Sequence, residues 1–395
     1  MKIISINAGS SSLKFTLFEM NDESVIASGI FERIGIEGSF YTIKYNNEKI
    51  EEEVELNDHS DAIRILNDRL IDLNIVSSLN EIKAVGHRIV HGKDKYKESV
   101  LITDEVVSDL EEFSVFAPIH NPANILGINA CREVLGDVPM VGVFDTAFHQ
   151  TLDKYAYMYP VPYSWYEKHG VRKYGFHGTS HRYVSNFISE KLGRNDLRII
   201  VCHLGSGGSI AAVKDGKCVD TTMGFTPLAG IMMGTRSGDI DSSIIPYIME
   251  KEGLNASEVI DVLNKRSGLL GVSEVSSDMR DIISNMNDGN EKCELAFQKY
   301  ARIVTNYIAQ YYVLLGGVDV ICFTAGVGER SIPTRTKIIE NLRPLGVRID
   351  LEKSGVSAEF EKISDESSDV EVFVVPTDEE LMIARDTLEI INKQN

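Results

Sequence analysis

Two arginines lie in short stretches that combine small, flexible and polar residues. Arg88 stands in GHRIVHG, after the strand-like run 82–85, and Arg236 stands in GTRSG. A guanidinium presents a planar fork of N–H donors that binds the oxygens of a carboxylate or a phosphate in pairs. At a strand end or in a glycine-rich loop, such a fork is placed to meet a ligand. The sequence therefore favours two anion-binding arginines, and the alternative for each is a surface ion pair.

An acidic residue and a histidine occupy comparable places. Asp145 follows the apolar run Met140–Phe144 and is expected at a strand end. There it would position an arginine or a metal-bound water, or it would simply close a loop. His177 stands in GFHG, which predicts an exposed turn, where a donor imidazole can stabilise oxygens that carry negative charge. An isolated histidine more often has a structural role, and the turn is what favours the chemical one here.

Three turns of small residues follow strand-like runs. NAGSSS follows Ile3–Ile6, HLGSGGS follows Ile199–Cys202 at an offset of 196 residues, and TAGVGE follows Val318–Phe323. Backbone N–H groups in such turns can cradle a phosphate, and glycine and serine let it approach closely. One such turn is equally typical of a hairpin, but three on the strands of one chain favour phosphate binding. The sequence has no GxxxxGK[ST] motif, which excludes a P-loop. Lys14, just after the first turn, is a further cation for a phosphate or an exposed strand lysine.

The elements that must position these residues alternate between strands and amphipathic helices. Apolar spacings of three and four predict three helices, marked by Ile63, Leu66, Leu70 and Leu73, by Phe297, Ala301, Val304, Ile308, Tyr312 and Leu315, and by Leu381, Ala384, Leu388 and Ile391. A second strand follows each of the first two turns, so a strand–turn–strand unit occurs twice. These patterns predict an α/β protein with two similar halves that face each other across a cleft.

Composition narrows the function classes. A chain of 395 residues exceeds one ordinary core, which favours two domains. The net charge of −19 argues against nucleic acid as a partner. No apolar run approaches the ~20 residues of a membrane span, so no membrane partner is expected. The five cysteines are dispersed without a CxxC pair, which favours a reducing cytoplasm over disulfides and gives no zinc-ligand spacing.

Motifs along essentially the whole chain resemble, in their order, those of the acetate kinase family. They are NAGSSSLKF, GHRIVHG, APIHNP, FDTAFH, YGFHGTSH, HLGSGGS, MGFTPLAGIMMGTRSGDID, SDMRD, FTAGVGE and VPTDEELMIARDT. The resemblance implies a duplicated ribonuclease-H-like fold, shared with actin, sugar kinases and Hsp70 ATPase domains. Residues 1–150, completed by a C-terminal helix at 384–395, would form the N-terminal domain, and residues 151–383 would form the nucleotide-binding domain. It also implies a homodimer.

The resemblance implies a reaction in which the γ-phosphoryl group of ATP passes reversibly and directly to acetate, giving acetyl phosphate and ADP. Mg²⁺, or Mn²⁺ in its place, would be the cofactor. A carboxylate acceptor is already ionised near pH 7 and needs no general base. This favours a positioning role for Asp145. Two arginines would relieve the repulsion between the acceptor and the polyphosphate.

Roles carry over from the resemblance residue by residue. The catalytic residues would be Arg88, Asp145, His177 and Arg236. Arg88 would bind substrate together with an apolar pocket for the acetate methyl group, formed by Val90, Ile119, Phe176 and Pro227. The nucleotide would be held by His203, Leu204, Gly205, Ser206, Gly207, Asp278, Met279, Arg280, Gly326, Val327, Gly328, Glu329 and Arg330, with Lys14 as an added cation. Asn7 and Glu379 would form the metal site.

The C-terminal motif allows a second interpretation. Thr377, Asp378, Glu379 and Glu380 fit a capping box with Thr377 as N-cap and Glu380 at N3. Acidic residues also favour the first turn of a helix, so Glu379 and Glu380 would then be structural. Mg²⁺ in phosphoryl-transfer sites takes one or two protein oxygen ligands, which supports Asn7 with Glu379 as the metal-site hypothesis.

Some choices stay open in the sequence. Ser206 and Arg330 stand where the family usually has Asn, which leaves the nucleotide preference undecided. A propionate or other short-chain acyl kinase would share the motifs and the mechanism. An actin- or Hsp70-like nucleotide switch would share the fold, and would turn over ATP without an acid acceptor. The two arginines favour the kinase.

Overall fold

A computed structural model describes residues 1–350, 352–355 and 360–394. The chain forms two compact units. Unit 1 comprises Met1–Phe148 and the chain from Asp378 onward, and unit 2 comprises His149–Thr377. Unit 1 is therefore built from both ends of the chain, and unit 2 is one continuous segment.

Unit 1 contains a mixed sheet with helices α1 to α3. The strands are β1 Lys2–Ala8, β2 Ser12–Glu19, β3 Ser24–Glu32, β4 Phe40–Tyr45, β5 Glu48–Glu53, β6 Ile82–Ile89, β7 Val100–Leu101 and β8 Met140–Phe144, and the helices are α1 His59–Asp72, α2 Asp104–Phe113 and α3 Asn121–Leu135. Among the described residues the strand order is β5-β4-β3-β2-β1-β6-β8-β7. Strands β1 to β5 are antiparallel to their neighbours along the chain, whereas β6 is parallel to both β1 and β8.

Unit 2 contains a second mixed sheet. Its strands are β9 Arg198–Leu204, β10 Gly208–Lys214, β11 Lys217–Thr221, β12 Val320–Thr324, β13 Glu361–Lys362 and β14 Glu371–Val374. Its helices are α4 Lys154–Tyr157, α5 Tyr163–His169, α6 Gly178–Leu192, α7 Ile244–Glu252, α8 Ala256–Lys265, α9 Gly268–Ser273, α10 Met279–Asn287, α11 Glu291–Leu314, α12 Ala325–Arg330 and α13 Ile332–Asn341. The strand order among the described residues is β11-β10-β9-β12-β14-β13.

Short 3₁₀ helices occur along the described chain in both units, at Leu79–Glu81, Ala147–Thr151, Arg343–Leu345 and Lys353–Gly355.

The two sheets share one plan. In unit 1, β1 pairs antiparallel with β2 and parallel with β6, which is parallel to β8. In unit 2, β9 pairs antiparallel with β10 and parallel with β12, which is parallel to β14. The parallel strands β8 and β12 are buried along their whole length, as expected for strands covered on both faces. The predicted duplicated α/β fold is confirmed.

The last helix, α14 Glu379–Asn392, returns the chain to unit 1. A side chain at Gly86 on β6 would place its Cβ 2.3 Å from Thr387 Oγ1 and 2.5 Å from Ile383 Cγ2. The helix therefore lies directly on the strand, and only glycine leaves room for it. The three predicted helices correspond to α1, α11 and α14, although α14 begins five residues before residue 384.

The predicted capping box at Thr377 is wrong. Asp378 is the N-cap of α14, and its Oδ1 accepts the N–H of Leu381 at 2.9 Å. Thr377 belongs to unit 2, where its hydroxyl contacts Ser180 Oγ at 2.8 Å and its N–H donates to Glu329 Oε1 at 3.1 Å. The tertiary contacts of Thr377 thus leave capping to the next residue, and Glu380 falls at N2.

Two sequence-based expectations concern the environment of the chain. The five cysteines are free thiols, and all are buried. In the part of the chain that the structure describes, helices that combine the length and apolar character needed to cross a bilayer are absent.

Candidate functional site

An ion pair lies at one edge of the sheet in unit 1, where the parallel strands β6 and β8 end. Arg88 on β6 donates from Nε to Asp145 Oδ1 at 3.1 Å and from Nη2 to Oδ2 at 2.7 Å. Asp145 directly follows β8, and its N–H donates to the carbonyl of Ile89 at 2.9 Å. Its side chain is 2% exposed and that of Arg88 is 23% exposed. This bidentate pair fixes the plane of the guanidinium.

Glu379 brings a second carboxylate to this pair. It is the first residue of α14 and is partly buried. Removal from water raises the pKa of Glu379, the Arg88 charge opposes the rise, and the carboxylates of Asp145 and Glu380 add to it, so the pKa stands at about 7. Burial alone would lower the pKa of Arg88, but Asp145 and Glu379 raise it above its ordinary value. The edge therefore carries more negative than positive charge.

The oxygen donors at this edge suit a hard cation. Asn7 is the penultimate residue of β1, whose parallel pairing with β6 places it at the same edge as Arg88. Within the described residues, groups of three His, Cys, Asp or Glu side chains that could hold a metal ion are absent. Mg²⁺ needs only one or two protein ligands beside water and phosphate. The amide of Asn7 and the raised pKa of Glu379, which a nearby cation would lower, therefore fit Mg²⁺.

Lys14 lies in unit 1, whereas the other predicted nucleotide-binding residues lie in unit 2. Its ammonium group pairs with Glu380, and its side chain is half exposed. This ion pair fits the alternative of an exposed strand lysine, and the nucleotide-binding role of Lys14 stays a prediction.

The predicted apolar pocket residues differ in exposure. In unit 1, Val90 is buried whereas Ile119 is 58% exposed. In unit 2, Phe176 is buried and Pro227 is partly buried. No apolar periodicity surrounds Ile119 in the sequence, so its exposure could not be predicted.

Two asparagines of α3 hold the segment after β6, and sequence reasoning missed both. Asn124 accepts the N–H of Val90 at 3.1 Å and donates to the carbonyl of Ala8 at 3.0 Å. Asn121 accepts the N–H of His91 at 3.1 Å and donates to the carbonyl of the same residue at 3.0 Å. Both asparagines are buried. The available signal was two amides three residues apart, which lie on one helix face beside apolar residues such as Ile125 and Ile128.

Unit 2 contains a cavity of about 500 Å³ that joins three of the predicted nucleotide-binding runs. From those runs it is lined by Gly205, Ser206, Asp278, Met279, Arg280, Gly326, Val327 and Arg330. Residues that the sequence did not single out complete the lining: Leu269, Ser277, Ile283, Tyr300, Ser331 and Pro333. A volume of this size accommodates a ligand of nucleotide dimensions.

Some of the predicted nucleotide-binding residues do not line this cavity: His203, Leu204, Gly207, Gly328 and Glu329. Leu204 is fully buried in the core of unit 2. Glu329 is buried, and its Oε1 accepts the N–H groups of Ala325 at 2.8 Å and Thr377 at 3.1 Å. Glu329 therefore stabilises the backbone at Ala325 and Thr377.

Arg236 lies next to the turn that lines the cavity. Its loop is tied to the turn by the N–H of Gly234, which donates to the carbonyl of Ser206 at 3.0 Å. A Cβ on Gly207 would lie 3.5 Å from Arg236 Nη1. Arg236 Nη1 donates to the carbonyl of Pro227 at 3.1 Å, and burial lowers the pKa of this arginine. Among the described residues it has no salt-bridge partner, so a bound anion would offset the cost of burying its charge.

His177 does not lie on the exposed turn that the sequence predicted. It is partly buried between two buried residues, and it adopts a left-handed backbone conformation with φ 58°. Gly175 before it has φ +76°, and a Cβ there would lie 2.6 Å from both His149 and Thr221. A non-glycine residue held in this region marks stored strain, which is common at functional sites.

The imidazole of His177 is held on two sides. Its Nδ1 lies 2.9 Å from Ser209 Oγ, and its ring stacks on that of His203 with centroids 4.2 Å apart. His203 Nδ1 in turn lies 2.7 Å from Ser180 Oγ. The second histidine of FHGTSH, His181, also reaches Ser209. Sequence reasoning missed Ser209 and His181 as partners of this site, since only the fold brings β10 beside α6.

The sequence of the chain matches a known protein family and its members. A model described as the acetokinase family matches residues 2–385. The chain is 55% identical to the acetate kinase of Clostridium novyi, with both chains covered completely, and 54% identical to that of Bacillus subtilis, with 98% of this chain and 99% of the relative covered.

Solved structures give the same result. The structure matches that of Porphyromonas gingivalis acetate kinase with a TM-score of 0.95 at 45% identity, covering 99% of each chain. It matches a propionate kinase from Francisella tularensis with a TM-score of 0.94 at 39% identity, covering 98% of this chain and 99% of the other.

Proposed function

We infer, from the premise that the chain belongs to the acetokinase family, that it transfers the γ-phosphoryl group of ATP to acetate, giving acetyl phosphate and ADP reversibly. The observation that carries this proposal is in unit 2. There, a cavity of about 500 Å³ is lined by residues of the three predicted nucleotide-binding runs, and the turn that lines it adjoins an arginine without a salt-bridge partner among the described residues. A nucleotide with its phosphates toward Arg236 would fill the cavity and neutralise the charge of the arginine.

The step we propose is a direct in-line displacement. A carboxylate oxygen of acetate forms a bond to the γ-phosphorus while the bond from that phosphorus to the β–γ bridging oxygen breaks, and ADP leaves with the electron pair. Such transfer has a loose transition state with charge on the equatorial oxygens, so catalysis is mostly positioning and charge stabilisation. Mg²⁺, held by Asn7 and Glu379, would neutralise phosphate charge when bound.

The arginines take different parts in this proposal. In unit 1, Asp145 accepts two hydrogen bonds from Arg88 and so fixes the guanidinium that binds the acetate carboxylate. In unit 2, Arg236 and His177 stabilise the transferring phosphoryl group. Asp145 needs no role as a base, because acetate is ionised at neutral pH.

Acetate is the proposed acceptor over longer acids. Val90 is buried and β-branched, so its side chain cannot easily turn aside for another methylene group. Phe176 is also buried. Rejection of one methylene group is worth roughly 1–3 kcal/mol, so propionate should be a weak substrate. The Francisella tularensis relative named a propionate kinase makes this preference the first thing to measure.

The proposal includes a homodimer in the cytoplasm. Helix α7 has the sequence IIPYIMEKE and no buried residue, with Ile244 and Tyr247 43% and 59% exposed. A second copy of the chain that covers this apolar helix would account for its composition. Free buried thiols fit a reducing compartment. Light scattering with size-exclusion chromatography would test the dimer, and a monomer at micromolar concentration would contradict it.

Acyl phosphate formation from ATP and Mg²⁺ across acetate, propionate and butyrate tests the proposed reaction. We expect Arg236→Ala to lower turnover by about 10³- to 10⁵-fold, as for other arginines that stabilise a transferring phosphoryl group. Arg302→Ala is the matched control, because Arg302 is an exposed arginine of unit 2 that does not line the cavity. ATP turnover that does not depend on acetate would favour a nucleotide switch and contradict the proposal.

A further inference from the structure

A buried hydroxyl lies between two imidazoles in unit 2. Ser209 Oγ is 2.7 Å from His181 Nε2 and 2.9 Å from His177 Nδ1. Ser209 and His181 are fully buried, on β10 and α6, and His177 directly precedes α6. A hydroxyl has one proton to donate and can accept from a second group. The three side chains therefore form a directed chain of hydrogen bonds, and its direction can be worked out from its buried end.

The protonation of His181 determines the direction of these hydrogen bonds. Burial, together with the nearby imidazoles of His149 and His203, holds the pKa of His181 well below its ordinary value, so the ring is neutral and carries one N–H. Its Nδ1 is buried and has no hydrogen-bond partner among the described residues. A buried N–H without an acceptor is rarer than a buried acceptor without a donor. The proton of His181 therefore resides on Nε2 and is donated to Ser209 Oγ.

The proton of His181 determines in turn which nitrogen of His177 accepts a hydrogen bond. Because Ser209 accepts from His181, its own proton is free for its other partner, the Nδ1 atom of His177. We propose that Ser209 and His181 are positioning residues that hold His177 as the tautomer protonated on Nε2. Neither touches substrate. They act by keeping Nδ1 of His177 an acceptor, so that the N–H of the ring is at its other nitrogen.

Two further contacts hold the donor ring in place. The stacked ring of His203, 4.2 Å away, sets the plane of His177. His149 Nε2 lies 2.9 Å from the carbonyl of Phe176, which can only accept, so His149 donates there and fixes the backbone just before His177. With the tautomer and the orientation set beforehand, His177 can donate to a phosphoryl oxygen without reorganising during the reaction. That catalytic consequence rests on the proposed function, whereas the tautomer does not.

Nitrogen-15 NMR of histidine-labelled protein tests the tautomer without any assay of activity, because protonated and unprotonated imidazole nitrogens differ in chemical shift. His177→Gln identifies the His177 signals by their loss. In the wild type we expect a protonated Nε2 and an unprotonated Nδ1 at His177. A protonated Nδ1 would overturn the proposal.

Variants test whether the hydrogen bonds from His181 to Ser209 and from Ser209 to His177, here called the relay, set the tautomer of His177. His181→Gln keeps an amide N–H near the position of imidazole Nε2, whereas His181→Asn is too short to reach Ser209, so the pair is matched in polarity. We expect His181→Gln and Ser209→Thr to keep the tautomer. Ser209→Ala and His181→Asn should mix the two tautomers and lower kcat about tenfold with KM unchanged, less than the about 10²–10³ for removal of a transition-state donor.

The outcomes separate the two proposals. If the wild type forms acetyl phosphate but Ser209→Ala leaves the His177 signals unchanged, the relay is wrong and the proposed function stands. If the tautomer shifts as expected but the wild type makes no acyl phosphate, the relay stands and the proposed function is wrong. A loss of folding in Ser209→Ala is detected by circular dichroism, and His181→Asn then decides the question.

Discussion

Replacing Asp145 with Asn should leave Arg88 partly buried beside an amide. The carboxylate accepts two hydrogen bonds from the guanidinium, at 2.7 and 3.1 Å, and is 2% exposed. The amide nitrogen of Asn would face one of the guanidinium N–H donors, so one hydrogen bond is lost along with the charge. We therefore expect both lower stability and a higher KM for acetate.

The size of the effect follows from the exposure of the pair. Breaking a buried ion pair by removing one partner costs about 3–5 kcal/mol. Arg88 is 23% exposed, and Glu379 remains near it as a second carboxylate. Both features reduce the cost of leaving the charge of Arg88 without Asp145. The loss of unfolding free energy in Asp145→Asn should therefore be near the lower limit of this range, at about 3 kcal/mol. Adding Arg88→Met removes that charge, so the double variant should be more stable than Asp145→Asn alone.

Urea unfolding followed by circular dichroism would measure these free energies. Trp165, the only tryptophan, lies in unit 2 and gives a separate fluorescence signal for that unit. The matched control is Asp319→Asn in unit 2, where Arg198 makes a similar bidentate pair at 3.0 Å in which the arginine is 33% and the aspartate 22% exposed. We expect the control to cost less. Additive losses in the double variant of the Arg88 pair, or equal costs for the two pairs, would refute this account of Asp145.

Three further predictions concern metal binding, substrate size and backbone strain. Glu379→Gln should raise the Mg²⁺ concentration needed for half-maximal turnover, whereas Glu380→Gln, in an ion pair at the surface, should cost only about 0–1 kcal/mol. The reverse assignment in a Mg²⁺ titration would exclude Glu379 from the metal site. Val90→Ala should raise the propionate-to-acetate ratio of kcat/KM, since one methylene group is discriminated by about 10- to 200-fold. An unchanged ratio would mean that Val90 is only a core residue. Gly175→Ala, where a Cβ would lie 2.6 Å from its neighbours, should lower the melting temperature more than Gly216→Ala, which has φ +75° and open space. Equal shifts in the two variants would contradict this reasoning.

The patterns that repeat within the chain predicted the fold well. The offset of 196 residues between the first two turns matches β1 and β9, which begin at Lys2 and Arg198. Apolar spacing located α1, α11 and α14, because burial of one helix face is a local property of the sequence. Strand pairing needs long-range contacts, and the parallel pairing of β6 with β8 could not be derived from either segment alone.

The site was harder to predict than the fold for the same reason. The position of Asp145 after an apolar run was enough to place it at a strand end, but its pairing with Arg88 depends on two strands that are distant in sequence. Thr377 was misassigned as an N-cap because its partners, Ser180 and Glu329, lie far along the chain. His177 was expected on an exposed turn because glycines flank it, and packing by residues such as His149 is what buries that turn.

The return of α14 to unit 1 has a consequence for synthesis on the ribosome. The helix covers β6 at Gly86, so that face of the strand has no cover until the end of the chain has been made. At about 5–20 residues per second, the strand would wait on the order of 15–60 s after its own synthesis. Unit 2 is continuous in sequence and can complete its fold during that interval. Synthesis of unit 1 thus starts before that of unit 2 but is completed after it, and a chain cut short after Thr377 would leave this face of β6 uncovered.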